Sequence, residues 1–293
     1  MQILTSYAFL IVAIGTVILA ILTSIVGSIN IYKGQSLIGD ALGHASFFGV
    51  VLFFTLFNSK SPIVLLLGAM FSCFVAYLIL ELSSKHSKIK LDANMAIVLS
   101  GFFGLGMALK SYIQGNSSFS NVSQAGLEVY IFGQAAYLLK EDVVLIAIAL
   151  LITLVLILLF YKEIKTYLFD IEFAKMAGFN TNLIEFIILF ITILTIGVGI
   201  KSVGAILIAA FMVIPVMAAQ MITHKFNYVL IISSVIGVIS AFIGTYWSTL
   251  IVGISTGPAI IIVSGIIFLV IMIFRKLIIA GRNKWLVHWL YLY

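Results

Sequence analysis

The 293-residue sequence predicts an all-α, polytopic membrane bundle, and three observations lead there. Hydrophobic residues fill 63% of positions and charged residues only 9%, where a soluble domain carries roughly 25% charged residues. The apolar stretches run about 20 residues, the length a helix needs to cross a hydrocarbon core of ~30 Å. They are unbroken rather than alternating, which excludes a transmembrane barrel.

In order, spans are expected at 5–29, 36–57, 62–81, 93–110, 142–161, 183–200, 202–221, 228–249 and 257–275. The break at Lys201 is the weakest, and without it eight spans remain. The stretch 183–221 is too long for one crossing, however, and suits a tight hairpin. Nine crossings put the N-terminus outside and the C-terminus inside. Only Lys60, Lys110, Lys140 and Lys201 of the 16 basic residues then lie outside, as the positive-inside bias requires. The first segment lacks a signal peptide's positive start and small-residue cleavage site, so it is expected to be retained. One domain, 1–281, is expected, with an aromatic interfacial tail at 282–293.

Three connections carry information. The outside stretch 111–141 is rich in Ser, Asn, Gln and Gly yet holds an apolar Val129-Tyr-Ile-Phe132, so it reads as a surface loop or a re-entrant element. The inside stretch 162–182 holds a short helix: Asp170 caps it, Glu172 sits in its first turn and Gly178 ends it. The tail, Trp285 to Tyr293, is an aromatic amphiphile suited to the interface.

Composition also excludes functions. The net charge of +6 comes with no basic run interleaved with aromatics, so nucleic acid is not a partner; membrane lipid is. A single cysteine, Cys73, excludes an intrachain disulfide and a cysteine-based zinc cluster. No GxxxxGK[ST] segment occurs, so any ATP-driven step needs another subunit.

Among the ionisable residues, Asp92 reads as the cap of the fourth span and Glu185 as the third residue of a helix capped by Asn182. Asp40 and His44 have no such easy role. Four residues apart, they share one helix face about a turn apart within an apolar segment. A carboxylate in lipid costs roughly 2.5–3.5 kcal/mol on insertion scales. One reading makes Asp40 a late cap and His44 a hydrogen-bonded buried residue; the other makes the pair ligands of a divalent metal. Two side chains do not fill a shell of about four to six, so water, backbone, another polar group or a second subunit must complete it. Gly101, Gly104 and Gly106, with Gly197, Gly199 and Gly204, are expected at close helix approaches. Pro215 is a candidate hinge in the seventh span.

Several stretches, in order, resemble one family. Ser36-Leu-Ile-Gly-Asp-Ala-Leu-Gly-His-Ala45 resembles the S-L-x-G-D-A-x-S-H-A signature of the manganese/zinc (and iron) ABC-3 permeases. Leu91 to Gly106, Glu128 to Gly133, Phe169 to Gly178 and Lys201 to Ala219 are similar to that family's later segments. The departures are Gly43 for the usual Ser, Ala96 for the commoner Gly, and the aromatic tail. The resemblance implies a homodimeric permease, not an enzyme, working with a cytoplasmic ABC ATPase and an extracytoplasmic metal-binding protein in a bacterial cell membrane. It places the metal-contacting acid and histidine on Asp40 and His44. The ATPase-coupling helix falls on 169–178, with Asp170, Glu172, Phe173, Ala174, Met176 and Gly178. No tightly bound cofactor is implied; Mn²⁺ or Zn²⁺, with Fe²⁺ as a third option, is cargo. The rivals are an intramembrane metalloenzyme on the same pair and a carrier driven by an ion gradient.

Overall fold

The computed structural model describes residues 6–59, 61–114, 133, 135, 138–251 and 254–290, the last from 278 by backbone alone. Its helices are α1 (Tyr7–Tyr32), α2 (Ile38–Phe57), α3 (Pro62–His86), α4 (Leu91–Gln114), α5 (Lys140–Leu159), α6 (Tyr161–Phe169), α7 (Ile171–Met176), α8 (Thr181–Val203), α9 (Ala205–Ile222), α10 (Phe226–Leu250) and α11 (Thr256–Leu290). Among the described residues there is no strand. Eight helices are long and apolar enough to cross a bilayer: α1 to α5, α8, α10 and the first part of α11. The ninth apolar helix, α9, has 18 residues and rises about 27 Å, just short of a ~30 Å core.

The ends of the helices follow their sequence. Ser6 caps α1 by accepting from the Phe9 amide, Pro62 opens α3 at a position needing no amide donor, and Asn180 caps α8 by accepting from the Leu183 amide. The break between the sixth and seventh spans falls at Gly204, three residues beyond the expected Lys201. Gly204 has φ 80° and ψ 164°, a conformation essentially confined to glycine. Lys201 stays inside the last turn of α8 because a carboxylate partner receives it there.

Helix α1 is the hub, packing on α5, α8, α9 and α10. Hydroxyls tie it to α10 at Thr16–Thr245 and Ser28–Ser233, both 3.2 Å, and Asn30 donates to Thr192 on α8 at 2.9 Å. Such interhelical bonds average about 0.6 kcal/mol in a membrane, so they set register more than stability. Close approach comes from glycine. A Cβ on Gly49 would lie 1.9 Å from the Gly68 carbonyl oxygen, and one on Gly27 would lie 2.1 Å from the Met212 oxygen. These two contacts bring α2 onto α3 and α1 onto α9.

Other expectations need correction. Gly106 lies against Phe47 and Phe48, but Cβ atoms on Gly101 and Gly104 would meet nothing within 4 Å, because both sit on the outward face of α4. Asp92 falls within the first turn of α4 rather than before it. With Asn180 as the cap of α8, Glu185 lies too far into the helix to complete a capping box. The last helix continues to Leu290, carrying the backbone past its apolar span. Most of the 111–141 connection and residues 291–293 lie outside the described residues.

Candidate functional site

Helix α2 begins at Ile38 after Leu37, which makes no side-chain cap bond, and Asp40 stands in its first turn. The late-cap reading of Asp40 therefore does not hold. Its carboxylate is placed among free amide groups, where negative charge is favoured. One turn on, His44 brings Nε2 to 3.4 Å from Asp40 Oδ1, longer than the ~2.7–2.9 Å of a well-made charged hydrogen bond. The imidazole packs edge-on against the Phe103 ring of α4 at 5.0 Å. His44 Nδ1 is buried without a hydrogen-bond partner. Asp40 remains 39% exposed and His44 16%.

Packing explains why the pair faces this way. Gly39 and Gly43, about 100° around α2 from Asp40 and His44, meet α9: a Cβ on Gly39 would be 2.9 Å from Met212 Sδ, and one on Gly43 would be 3.2 Å from the Ala205 oxygen. With that face closed, the acid and imidazole turn toward α4. Among the described residues, no group of three or more His, Cys, Asp or Glu side chains gathers anywhere. Among the described residues of one copy, the pair thus supplies two donors of these kinds.

The 169–178 segment forms as its sequence implies. Asp170 Oδ1 accepts from the Phe173 amide at 2.9 Å. Gly178 takes φ 80°, and the Phe179 and Gly178 amides donate to the Ala174 and Lys175 carbonyls, a Schellman ending. Ala174 is fully buried, while Phe173 (54%) and Met176 (80%) project outward; Asp170 and Glu172 are exposed. Pro215 is buried within a continuous α9.

Residues missed by sequence reasoning tie the helices around this segment together, and one of them, Tyr32, reaches it. Lys33, just past α1, pairs with Glu185 of α8 at 3.0 Å, and the Tyr77 hydroxyl donates to the same oxygen at 2.9 Å. The Tyr32 ring packs against Phe169 at 5.6 Å and Phe226 at 5.1 Å. Nearby on α6, burial and then the Glu185 and Glu81 carboxylates push the Tyr167 phenol up to about 12, keeping it neutral at ordinary pH. Elsewhere, Lys201 meets Asp142 of α5 at 2.6 Å. No local spacing signals these contacts, since the partners lie on helices far apart in sequence. Asp40 and His44 are brought together with each other, but not into contact with 169–178. The two regions are joined through the end of α1 and its short connection to α2.

Comparison with known proteins follows the same lines. The chain is 36% identical over 259 residues to the manganese transport system membrane protein MntC of Bacillus subtilis, covering 88% of this chain but 59% of that one. It is 34% identical over 274 residues to the zinc transport system membrane protein TroC of Treponema pallidum, covering 93% and 91%. It is 29% identical over 264 residues to the chelated iron transport system membrane protein YfeD of Yersinia pestis, covering 90% and 84%. Its fold matches a chain in the structure of PsaBC from Streptococcus pneumoniae in complex with Fab, with a TM-score of 0.76, 25% identity and 91% of each chain covered. These relatives are membrane components of bacterial transport systems rather than enzymes, so the metalloenzyme reading is not favoured. This chain is likewise a multi-pass membrane protein. The profile of the ABC 3 transport family matches residues 6–275, and the chain belongs to that family.

Proposed function

We propose that this protein is the membrane permease subunit of an ATP-driven importer for Mn²⁺ or Zn²⁺, with Fe²⁺ the third option, and that Asp40 and His44 receive the ion inside the bilayer. The observation that carries this is the open pair: a carboxylate and an imidazole adjacent and partly exposed on a membrane helix, with His44 Nδ1 lacking a hydrogen-bond partner among the described residues. A group so placed is costly in lipid unless it serves a cation. Relatives named for manganese, zinc and iron agree with a donor pair that suits all three.

Two donors per chain call for a second copy, which would raise the set to four. The outward face of α4 favours such a contact. Ala96, Ser100, Gly104 and Ala108 recur there every four residues, all exposed, and small residues at that spacing admit close helix packing. The Phe103 ring that supports His44 borders this stripe. We place the N-terminus outside and the C-terminus inside. The extracytoplasmic metal-binding protein delivers the ion, and a separate ABC ATPase docks on 169–178 through Phe173 and Met176. Pro215 serves as the hinge in α9, and access to the pair alternates as the ATPase cycles. When the pair is closed off from water its hold on a cation strengthens, and wetting loosens it.

The test is metal accumulation by cells carrying the chain with its ATPase and binding protein. Asp40→Ala and His44→Ala should each abolish accumulation while the complex still assembles; normal uptake by both discards the site. Uptake that persists without the ATPase would favour the gradient-driven carrier. Ser100→Cys should cross-link two copies on oxidation, with little background because Cys73 is buried.

A further inference from the structure

None of the residues lining one apolar groove belongs to α2 or α4. Helices α5 and α10 each pack on α1 and leave between them a groove of about 500 Å³. Its walls are aliphatic, among them Ile21, Ile25, Leu158, Ile231 and Val235. Among the aliphatic walls the hydroxyl of Ser234 is spent on the Leu230 carbonyl of its own helix at 2.7 Å. Along α10 the lining runs from Leu230 to Ile239, a rise of about 13 Å, or roughly half of a ~30 Å hydrocarbon core. The groove therefore has the depth of one leaflet.

Its two ends differ. At one end Tyr161 lines the groove, and its hydroxyl donates to Asn227, joining the start of α6 to the start of α10. Lys162 follows Tyr161, Lys165 lies one turn on, and Lys225 precedes Asn227 by two residues; all three are exposed. Lys225 Nζ sits 6.0 Å above the Tyr228 ring. Glu163 is the only acid within 161–165 and 225–230, so the charge there stays positive. No acid or base lines the rest of the groove.

We propose that this groove binds one anionic phospholipid per chain, its acyl tail along α1, α5 and α10 and its headgroup at Lys162 and Lys225. The apolar walls need a hydrocarbon occupant, the depth fits a tail from one leaflet, and lysines at one end alone select a negative headgroup. The site is independent of the metal reading and requires only that the helices cross a bilayer.

Native mass spectrometry of the purified permease–ATPase complex, with phosphatidylglycerol or phosphatidylcholine added, tests it. One phosphatidylglycerol per chain should be retained with about a thirtyfold preference, from two lysines acting at a membrane surface. Lys162→Gln with Lys225→Gln, both exposed and outside the packed core, should remove the preference. Ile231→Trp with Val235→Trp should expel either lipid while the complex still forms. Equal retention of the two lipids by the unaltered complex would mean ordinary annular lipid and overturn the proposal. So would unchanged preference in the lysine variant, or a second copy seated on α5 and α10. If the tryptophan variant does not fold, the lysine variant alone decides.

Discussion

Apart from the exposed Lys85–Glu81 pair at the end of α3, three acid–base pairs among the described residues lie between or along the membrane helices, and two of them are built differently from the third. Lys33–Glu185 closes at 3.0 Å with the Tyr77 hydroxyl on the same oxygen. Lys201–Asp142 closes at 2.6 Å, and the Leu139 amide donates to the other carboxylate oxygen. Each joins two helices and satisfies its acid twice. Asp40–His44 joins nothing: both groups belong to α2, they stand 3.4 Å apart, and His44 Nδ1 has no partner. A charge partly withdrawn from water and left half-satisfied is costly. The closed pairs thus read as struts and the open pair as a seat for something that comes and goes.

The largest effect should come from emptying that seat. Asp40→Ala or His44→Ala is expected to reduce metal accumulation to the level of cells without the transporter. Unfolding in detergent should shift by no more than about 0.5 kcal/mol, as for sites that hold no structure together. Asp40→Asn should behave alike, since the carboxamide keeps the shape and loses the charge. A large loss of stability in any of these would turn the open pair into a third strut.

The converse holds for the struts. Glu185→Gln leaves Lys33, with a side chain only 9% exposed, facing a neutral partner. The cost should be about 1–3 kcal/mol, between the small value of exposed pairs and the larger one of fully buried pairs. Thermal unfolding measures it, and uptake per assembled complex should stay near normal. Lys33→Met combined with Glu185→Leu should regain most of the loss, because two apolar groups leave no stranded charge. Lost uptake with unchanged stability would give Glu185 a direct part in transport and erase the contrast.

This contrast also marks how far the sequence could be read. Apolar length is a property of each segment, so eight of the nine expected spans were legible as helices long enough to cross, the other being the shorter apolar α9, and the 36–57 and 62–81 starts lie within two residues of α2 and α3. The Asp40–His44 pair was legible because its spacing is local to one helix. The partners of Glu185 and Asp142 were not, since helix neighbours depend on how nine faces choose one another, and apolar periodicity is weak when lipid and core are equally greasy. For the same reason Gly101 and Gly104 were placed in packing contacts, although within one copy of the chain they face outward. Lys201 was taken for a boundary because a lone charge in an apolar run looks like an interface until its counterion is known; the backbone requirement lay at Gly204.

The mildest predicted effect concerns an acid of a third kind, satisfied by backbone and open to water. Asp170 caps a helix of six residues, so Asp170→Ala should cost about 1 kcal/mol. Gly178→Ala, at φ 80°, should cost a similar amount. Because 171–178 is short and peripheral, the loss should be local: global unfolding unchanged, while its amides exchange about fivefold faster, the factor that ~1 kcal/mol brings. If Phe173 and Met176 are the docking knobs, the ATPase should then co-purify less well, because the knobs lose their fixed spacing. Undiminished ATPase capture by a frayed α7 would move the docking surface elsewhere. The struts and the seat would then remain as they are, without the lever assumed to connect them.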